Sequence, residues 1–305
     1  MELKNQTAKN FKKISIKNLI SSLTNLGYKS TSFSINNFGD YMPEDAIWNY
    51  LDVPHLNHVH QNTAGSIPTY IDHNFVASLN EQKILGFSFP INLVNYLFKK
   101  DELIYYFTIF NLIVIINTKA IQLKKGTNVE TTYYIFYKNA FIKIFLPILK
   151  KIIIRNNKIL MKDDIPMRER RSSLRNMGHT VKMNYSYIDS CNLSQKKISY
   201  KLKKYKYRIQ LSEFEDKSDL FIGPSDINGF RLMLLENYLY GFPRSCSHEG
   251  ASYDEAEFLN GKIKCPWHGR LCNNLFKINL KTNEIIKDNN GINVKINKGF
   301  LEIKN

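Results

Sequence analysis

Cysteine is scarce, with four residues in 305. That is too few for a disulfide scaffold, and with histidines close by it points to metal binding or catalysis in a reducing compartment. A secretory signal is missing as well. The stretch MELKNQTAKNFKKISIKNLI has basic residues but no apolar core and no small-residue cleavage site, so a cytoplasmic location is expected. No run is long enough to cross a bilayer. The most apolar one, LIYYFTIFNLIVII from Leu103 to Ile116, is fourteen residues long and contains Thr108 and Asn111, where a spanning helix needs roughly 20 apolar residues. Its β-branched and aromatic content reads as buried strands. No internal repeat is present. Acidic charge is in deficit, with 27 Asp and Glu against 43 Lys and Arg and a net charge of +16. The plain reading of that excess is lysine bias over a solvated surface. The functional readings are docking of an acidic protein or peripheral contact with an anionic membrane. Nucleic acid is not expected as a partner, because the lysines are scattered and no recognition motif accompanies them.

What is present suggests two domains. Residues 1 to about 40 read as an extended lead-in. PEDAIWNYLDVPHLNHVHQN (43–62) opens with Pro43, Glu44 and Asp45, which suit a helix N-terminus, where acidic groups are favoured. Strand-like stretches follow up to VETTYYIFYKN. Residues 140–176 then read as a long helix, which Pro147 and Pro166 should kink or break. The polar segment 191–204 reads as a linker. From about residue 205 the chain consists of short strands and turns. It ends in a hairpin in which Ile292, Val294 and Ile296 alternate before Asn297-Lys298-Gly299 turns the chain into Phe300.

Half of the cysteines lie in CSHEGASYDEAEFLNGKIKCPWHGR, from Cys246 to Arg270. Cys246 and His248 form one pair, Cys265 and His268 the other, with sixteen residues between His248 and Cys265. Two thiolates and two imidazoles can hold a tetrahedral zinc ion. Pairing one of each per loop also suits a [2Fe–2S] cluster in which one iron takes both cysteines and the other both histidines. With Pro266 and Gly269 in place, this stretch resembles the Rieske family over roughly residues 205–305. Respiratory-complex members carry an extra cysteine in each loop, joined as a disulfide. Ala251 and Trp267 occupy those positions here, so the resemblance is to the ferredoxin and oxygenase branch. Cys272 reads as a small buried hydrophobe, and Cys191 has no assigned role.

Three of the seven histidines crowd into DVPHLNHVH. The spacing Asp52-x2-His55-x4-His60 resembles the mononuclear iron motif of Rieske non-haem oxygenases. There two histidines and a distant carboxylate hold Fe(II) and leave open positions. By that resemblance His55 and His60 are ligands, and Asp52 is the catalytic residue that hydrogen-bonds a ligand histidine and bridges towards the Rieske centre. Five residues apart, His55 and His60 do not share a face of an ideal helix, so a break or wide turn is required. His58 falls beside the ligands or in solvent. Leu160, Asp164 and Met167 share a helical face, which makes Asp164 the candidate third ligand. Asp163 is the next choice, and capping of a helix restarting at Pro166 is the structural alternative.

The resemblance implies an α+β chain. A helix-grip (START-like) catalytic domain would occupy 1–190 and end in a long helix; a small antiparallel β Rieske domain would follow the linker at 205–305. The domain order is the reverse of the usual oxygenase subunit. The implied function is a Rieske-type mono- or dioxygenase. Its [2Fe–2S] cluster would pass electrons to a mononuclear Fe(II), which would activate O2 to oxidise an apolar ring or lipid-like substrate. An acidic ferredoxin or reductase would be the donor, and a homo-oligomer, a trimer by family resemblance, is implied. The alternative is a non-catalytic Rieske electron-transfer protein fused to a lipid-binding helix-grip domain.

Overall fold

The computed structural model describes residues 15–60, 64–72, 74–84, 87–109, 111–181, 198–199, 206–214, 218–288 and 292–304. The chain divides into two compact units, Met1–Val53 with Asn62–Ile165, and Pro54–Gln61 with Pro166–Asn305.

The first unit is built on one antiparallel sheet of seven strands: β1 (Lys29–Gly39), β2 (Ala64–Asp72), β3 (Phe75–Ile84), β4 (Phe87–Lys99), β5 (Glu102–Ile109), β6 (Leu112–Gln122) and β7 (Thr127–Tyr137). Their order across the sheet is β1-β7-β6-β5-β4-β3-β2. Side chains alternate between the faces of a strand, and β7 uses both. Tyr134 and Phe136 lie on the side where α1 (Ile16–Asn25) packs Ile16, Leu19, Ile20 and Leu23. Tyr133 hydrogen-bonds Asn157 of the long helix α3 (Leu146–Asn176). Asn157 also accepts from Asn37 of β1 at 3.1 Å. The short helix α2 (Pro43–Leu51) buries Ala46, Ile47, Trp48 and Leu51 and packs on β6.

The second unit is a group of small antiparallel sheets. β8 (Thr180–Val181) pairs with β9 (Ile198–Ser199). β10 (Lys206–Gln210), β20 (Phe300–Lys304) and β19 (Asn293–Asn297) form one sheet in that order. β11 (Asp219–Ile222), β12 (Phe230–Leu235), β13 (Tyr238–Pro243), β17 (Phe276–Asn279) and β18 (Glu284–Asp288) form a second. β14 (Glu257–Leu259), β15 (Lys262–Lys264) and β16 (Leu271–Asn273) form a third. Leu232, Leu239, Phe276, Ile278, Leu301 and Ile303 are fully buried in one core under the first two sheets. Lys298 and Gly299, both at positive φ, make the tight turn of the terminal hairpin that its alternation predicts.

Three expectations need correction. The class is mostly antiparallel β with three α-helices among the described residues, rather than α+β. The long β-branched and aromatic runs pair with one another instead of alternating with helices. The lead-in is not extended throughout: Ser15 caps α1 by accepting from the Asn18 N–H, and β1 follows. Nor do the prolines break the long helix. Pro147 is the second residue of α3, where no amide donor is needed, and a 3-10 turn over Ala140–Phe145 precedes it. Pro166 lies inside a continuous α3. The linker expected at 191–204, with Cys191, falls outside the described residues except at 198–199.

Candidate metal centres

In the second unit, Cys246 and Cys265 open two loops of matching construction. The Cys246 N–H donates to the Ala251 carbonyl at 2.8 Å, and Gly250 N–H donates back to the Cys246 carbonyl at 2.9 Å. The Cys265 N–H donates to Arg270 O at 2.8 Å, and Gly269 N–H returns to Cys265 O at 2.8 Å. Each loop closes on a glycine at positive φ, 90° for Gly250 and 64° for Gly269, a backbone state that glycine adopts without a Cβ penalty. The second loop joins β15 to β16; the first runs from β13 to β14. Cys246, Cys265 and His248 are buried. The rings of His248 and His268 stand 5.0 Å apart, edge to face. Hydrogen bonds from Cys265 and then Cys272 hold the Cys246 thiol well below its ordinary range, against the effect of burial. The Cys265 thiol is pushed well above its range, first by its hydrogen bond to Cys246 and then by burial.

The loops are held by arginines that sequence reasoning passed over. From α3, Arg170 donates to the Gly250 carbonyl and the Ser245 hydroxyl and pairs with Asp226. Arg171, fully buried, pairs with buried Glu249. Arg231 donates to the carbonyls of Tyr253 and Ala256 and pairs with Asp219. The available signal was the run RERR at the end of the long helix. A solvated charge run does not place two successive arginines at 15% and 0% side-chain exposure.

The second donor set lies in the histidine-rich segment. α2 ends at Leu51, and Asp52 is its half-buried C-cap, donating its N–H to Trp48 O at 2.9 Å. A 3-10 turn over Val53–Asn57 follows. The His58 and Val59 amides both bond His55 O, and His60 N–H bonds Leu56 O. This winding brings the rings of His55 and His60 to 5.2 Å, although a straight helix would set residues five apart on different faces. Asp164 is buried and accepts from the Asn49 side-chain amide at 3.2 Å; Asp163 is half-buried. One ligand atom from each of His55, His60 and Asp164 lies within 4.8 Å of the others, and all three residues are buried.

His58 faces the sulfur loops. A Cβ on Gly269 would come within 2.2 Å of the His58 ring. Burial, then the positive charges of His268 and Lys264, lowers the His58 pKa.

No family model matches the chain, and no curated protein matches it. Similar solved structures include the di-domain aromatase/cyclase StfQ from the steffimycin biosynthetic pathway, 12% identical, covering 47% of this chain and 52% of that one at a TM-score of 0.43. The di-domain aromatase/cyclase BexL from the BE-7585A pathway is 11% identical, covering 46% and 49% at 0.37. The Zhui aromatase/cyclase from Streptomyces sp. R1128 is 12% identical, covering 47% and 95% at 0.39. The match spans about half the length of the two di-domain proteins. At these scores the matches assign nothing.

The resemblance to the Rieske oxygenase family is corrected on these comparisons. The similar structures named are aromatase/cyclases, and none of them is named for a Rieske domain, an oxygenase or electron transfer. The family, the Rieske label for residues 205–305, the oxygenase activity and its electron-transfer alternative are withdrawn. Enzymes stand among the similar structures. No helix among the described residues is long and apolar enough to cross a membrane.

Proposed function

We propose that this chain is a metal-dependent, ligand-binding protein with enzyme chemistry at a mononuclear centre held by His55, His60 and Asp164. The observation that carries the reading is the approach of three buried ligand atoms to within 4.8 Å. The donor set fits a divalent ion. Three donors bonded at about 2.1 Å to one tetrahedral ion stand roughly 3.4 Å from one another, so a set whose atoms lie within 4.8 Å closes by side-chain movements of up to about 1.4 Å. Two neutral imidazoles and one carboxylate leave a net positive charge at the ion. They also leave coordination positions open. Ferrous iron is the ion proposed, and the occupant of the open positions is a small organic molecule presenting oxygen. When bound, the ion supplies Lewis acidity toward that oxygen.

The chain's own residues prepare that chemistry. Asn49 donates to one carboxylate oxygen of Asp164, which constrains its rotamer. Burial of all three residues lowers the local dielectric and strengthens attraction between the ion and an anionic or polarised oxygen. The 3-10 turn and the backbone bonds of Val59 and His60 that follow it hold the two imidazoles 5.2 Å apart.

Cys246, His248, Cys265 and His268 are proposed to hold a separate centre. A two-iron, two-sulfide cluster is the occupant expected from the donor types, against a single zinc ion. The test is metal and acid-labile sulfide analysis of the chain purified without oxygen. Wild type should carry one more equivalent of iron than His60→Ala or Asp164→Asn, and both variants should keep the metal of the cysteine loops. Equal metal content in wild type and both variants would refute the mononuclear centre. Zinc without sulfide would replace the cluster by a zinc site.

A further inference from the structure

An apolar stripe stands open at the start of the long helix. Asn139 caps the 3-10 turn over Ala140–Phe145 by accepting from the Phe141 N–H at 2.9 Å, and α3 continues from Leu146. The turn buries none of its residues. Phe141, Ile144, Phe145 and Ile148 are between 51% and 65% exposed, and the two phenyl rings lie 5.7 Å apart. Their spacing, i, i+3, i+4 and i+7, is that of one helical stripe. A single exposed apolar side chain is ordinary, but a contiguous group of them marks an interaction surface.

The charge around this stripe says what covers it. Lys151, Arg155 and Lys158 follow at the same three- and four-residue spacing, all exposed, and line one surface groove with Ile154 and Ile159. Between Glu130 and Asp163 the sequence holds seven Lys and Arg and no Asp or Glu. Like charges at i and i+4, such as Lys151 and Arg155, destabilise a helix, and an anionic partner offsets that cost. A second copy would set the face against its own charge. An acidic protein would answer the basic half and leave the apolar half to find a separate pocket. A bilayer surface with anionic lipids offers both layers together, acyl chains beneath phosphates.

We propose that residues 141–158 are the docking face of this chain for an anionic phospholipid membrane. Phe141, Ile144, Phe145 and Ile148 enter the boundary between headgroups and acyl chains, and Lys151, Arg155 and Lys158 meet the lipid phosphates. The face uses none of the residues assigned to the metal centres, so it stands or falls apart from them.

The test is co-sedimentation of the full chain with vesicles of phosphatidylcholine alone and of phosphatidylcholine with phosphatidylserine. Wild type should partition onto the anionic vesicles and far less onto the neutral ones, and added salt should release it, because screening weakens the attraction. Lys151→Gln should weaken the partitioning by about fivefold, the equivalent of the roughly 1 kcal/mol that one basic side chain contributes at such a surface. Phe145→Ala should weaken it by about tenfold, through loss of buried apolar area. Ile67→Ala, at an equally exposed isoleucine of β2, should leave it unchanged. Equal binding to both kinds of vesicle, or a loss in Ile67→Ala as large as in Phe145→Ala, overturns the proposal. Wild type that sediments with neither vesicle also overturns it and assigns the face to a protein partner.

Discussion

Replacing Gly269 by alanine separates two costs that the structure superimposes. The first is backbone: φ is +64°, and an L-residue held in the left-handed region costs about 1–2 kcal/mol. The second is steric. The added Cβ would meet three atoms of the His58 ring, at 2.2, 2.7 and 2.9 Å. The ring is the far end of a half-buried side chain and can turn aside. Leaving its rotamer costs about 0.5–1.5 kcal/mol, and overpacking adds up to about 1–3 kcal/mol where it cannot move freely. Gly269→Ala should therefore destabilise by about 2–4 kcal/mol. Gly299→Ala is the control for the backbone share. Its φ is +78° and a Cβ there meets nothing within 4 Å, so its cost should be about 1–2 kcal/mol. The assay is urea unfolding of the metal-free chain at constant m-value, run as a double-mutant cycle with His58→Ala. In the His58→Ala background the cost of Gly269→Ala should fall to that of Gly299→Ala. An unchanged cost would show that His58 does not bear on the loop and would refute the steric half of the reasoning.

The remaining expectations concern the loop anchor and pH. Arg171→Met leaves the buried Glu249 carboxylate without its ion-pair partner and should cost about 3–5 kcal/mol in chemical denaturation; adding Glu249→Gln should recover a large part, and additivity of the two would argue against the pair. Burial lowers the His179 pKa in the folded chain. The unfolded chain thus takes up the proton first, and stability should fall as pH drops below 6.5. Thermal midpoints of the metal-free chain measured across that range should flatten in His179→Gln; an unaltered slope would exclude His179 as its source.

Periodicity carried the sheet. The apolar run at 103–116 reads as strand from its composition, and it folds into β5 and β6, which pair antiparallel from Glu102↔Lys119 to Ile109↔Leu112. The terminal hairpin was equally legible, because its turn chemistry is local. The helices were less so. An amphipathic first helix hid in a lysine-rich segment, where its four apolar residues are spaced for one face. Pro166 misled because a proline's local penalty was weighed alone. Tertiary contacts on both sides of it, with Met161, Asp164, Met167 and Arg168 buried, outweigh one lost backbone bond of about 3 kcal/mol. The loop-anchoring arginines were not legible, since charge density says nothing of burial until the partner carboxylates are placed in space. The family resemblance rested on ligand spacing in two short stretches. Spacing names donor types that can meet; it does not name the chemistry they serve.

The two donor sets differ in what holds them, and that difference bears on how each would tolerate loss of metal. The cysteine loops are fixed without any ion: four backbone hydrogen bonds close them, and Arg170, Arg171 and Arg231 tie them to carbonyls and carboxylates of the same unit. Their glycines already occupy the φ values that the closed loops require. Metal removal should leave such a scaffold folded, because no ligand side chain is needed to satisfy its backbone. His55 instead sits on a short 3-10 turn, Val53–Asn57, and His60 lies three residues past its end, in a segment held by one i-to-i+3 and two i-to-i+4 backbone bonds; a 3-10 turn has intrinsically poorer hydrogen bonds than an α-helix. An ion joined to both rings would cross-link that turn to the helix that bears Asp164. The mononuclear centre is thus the one whose occupancy should register in local order, as slower amide exchange at His58 and Val59, whose N–H groups both bond the carbonyl of His55.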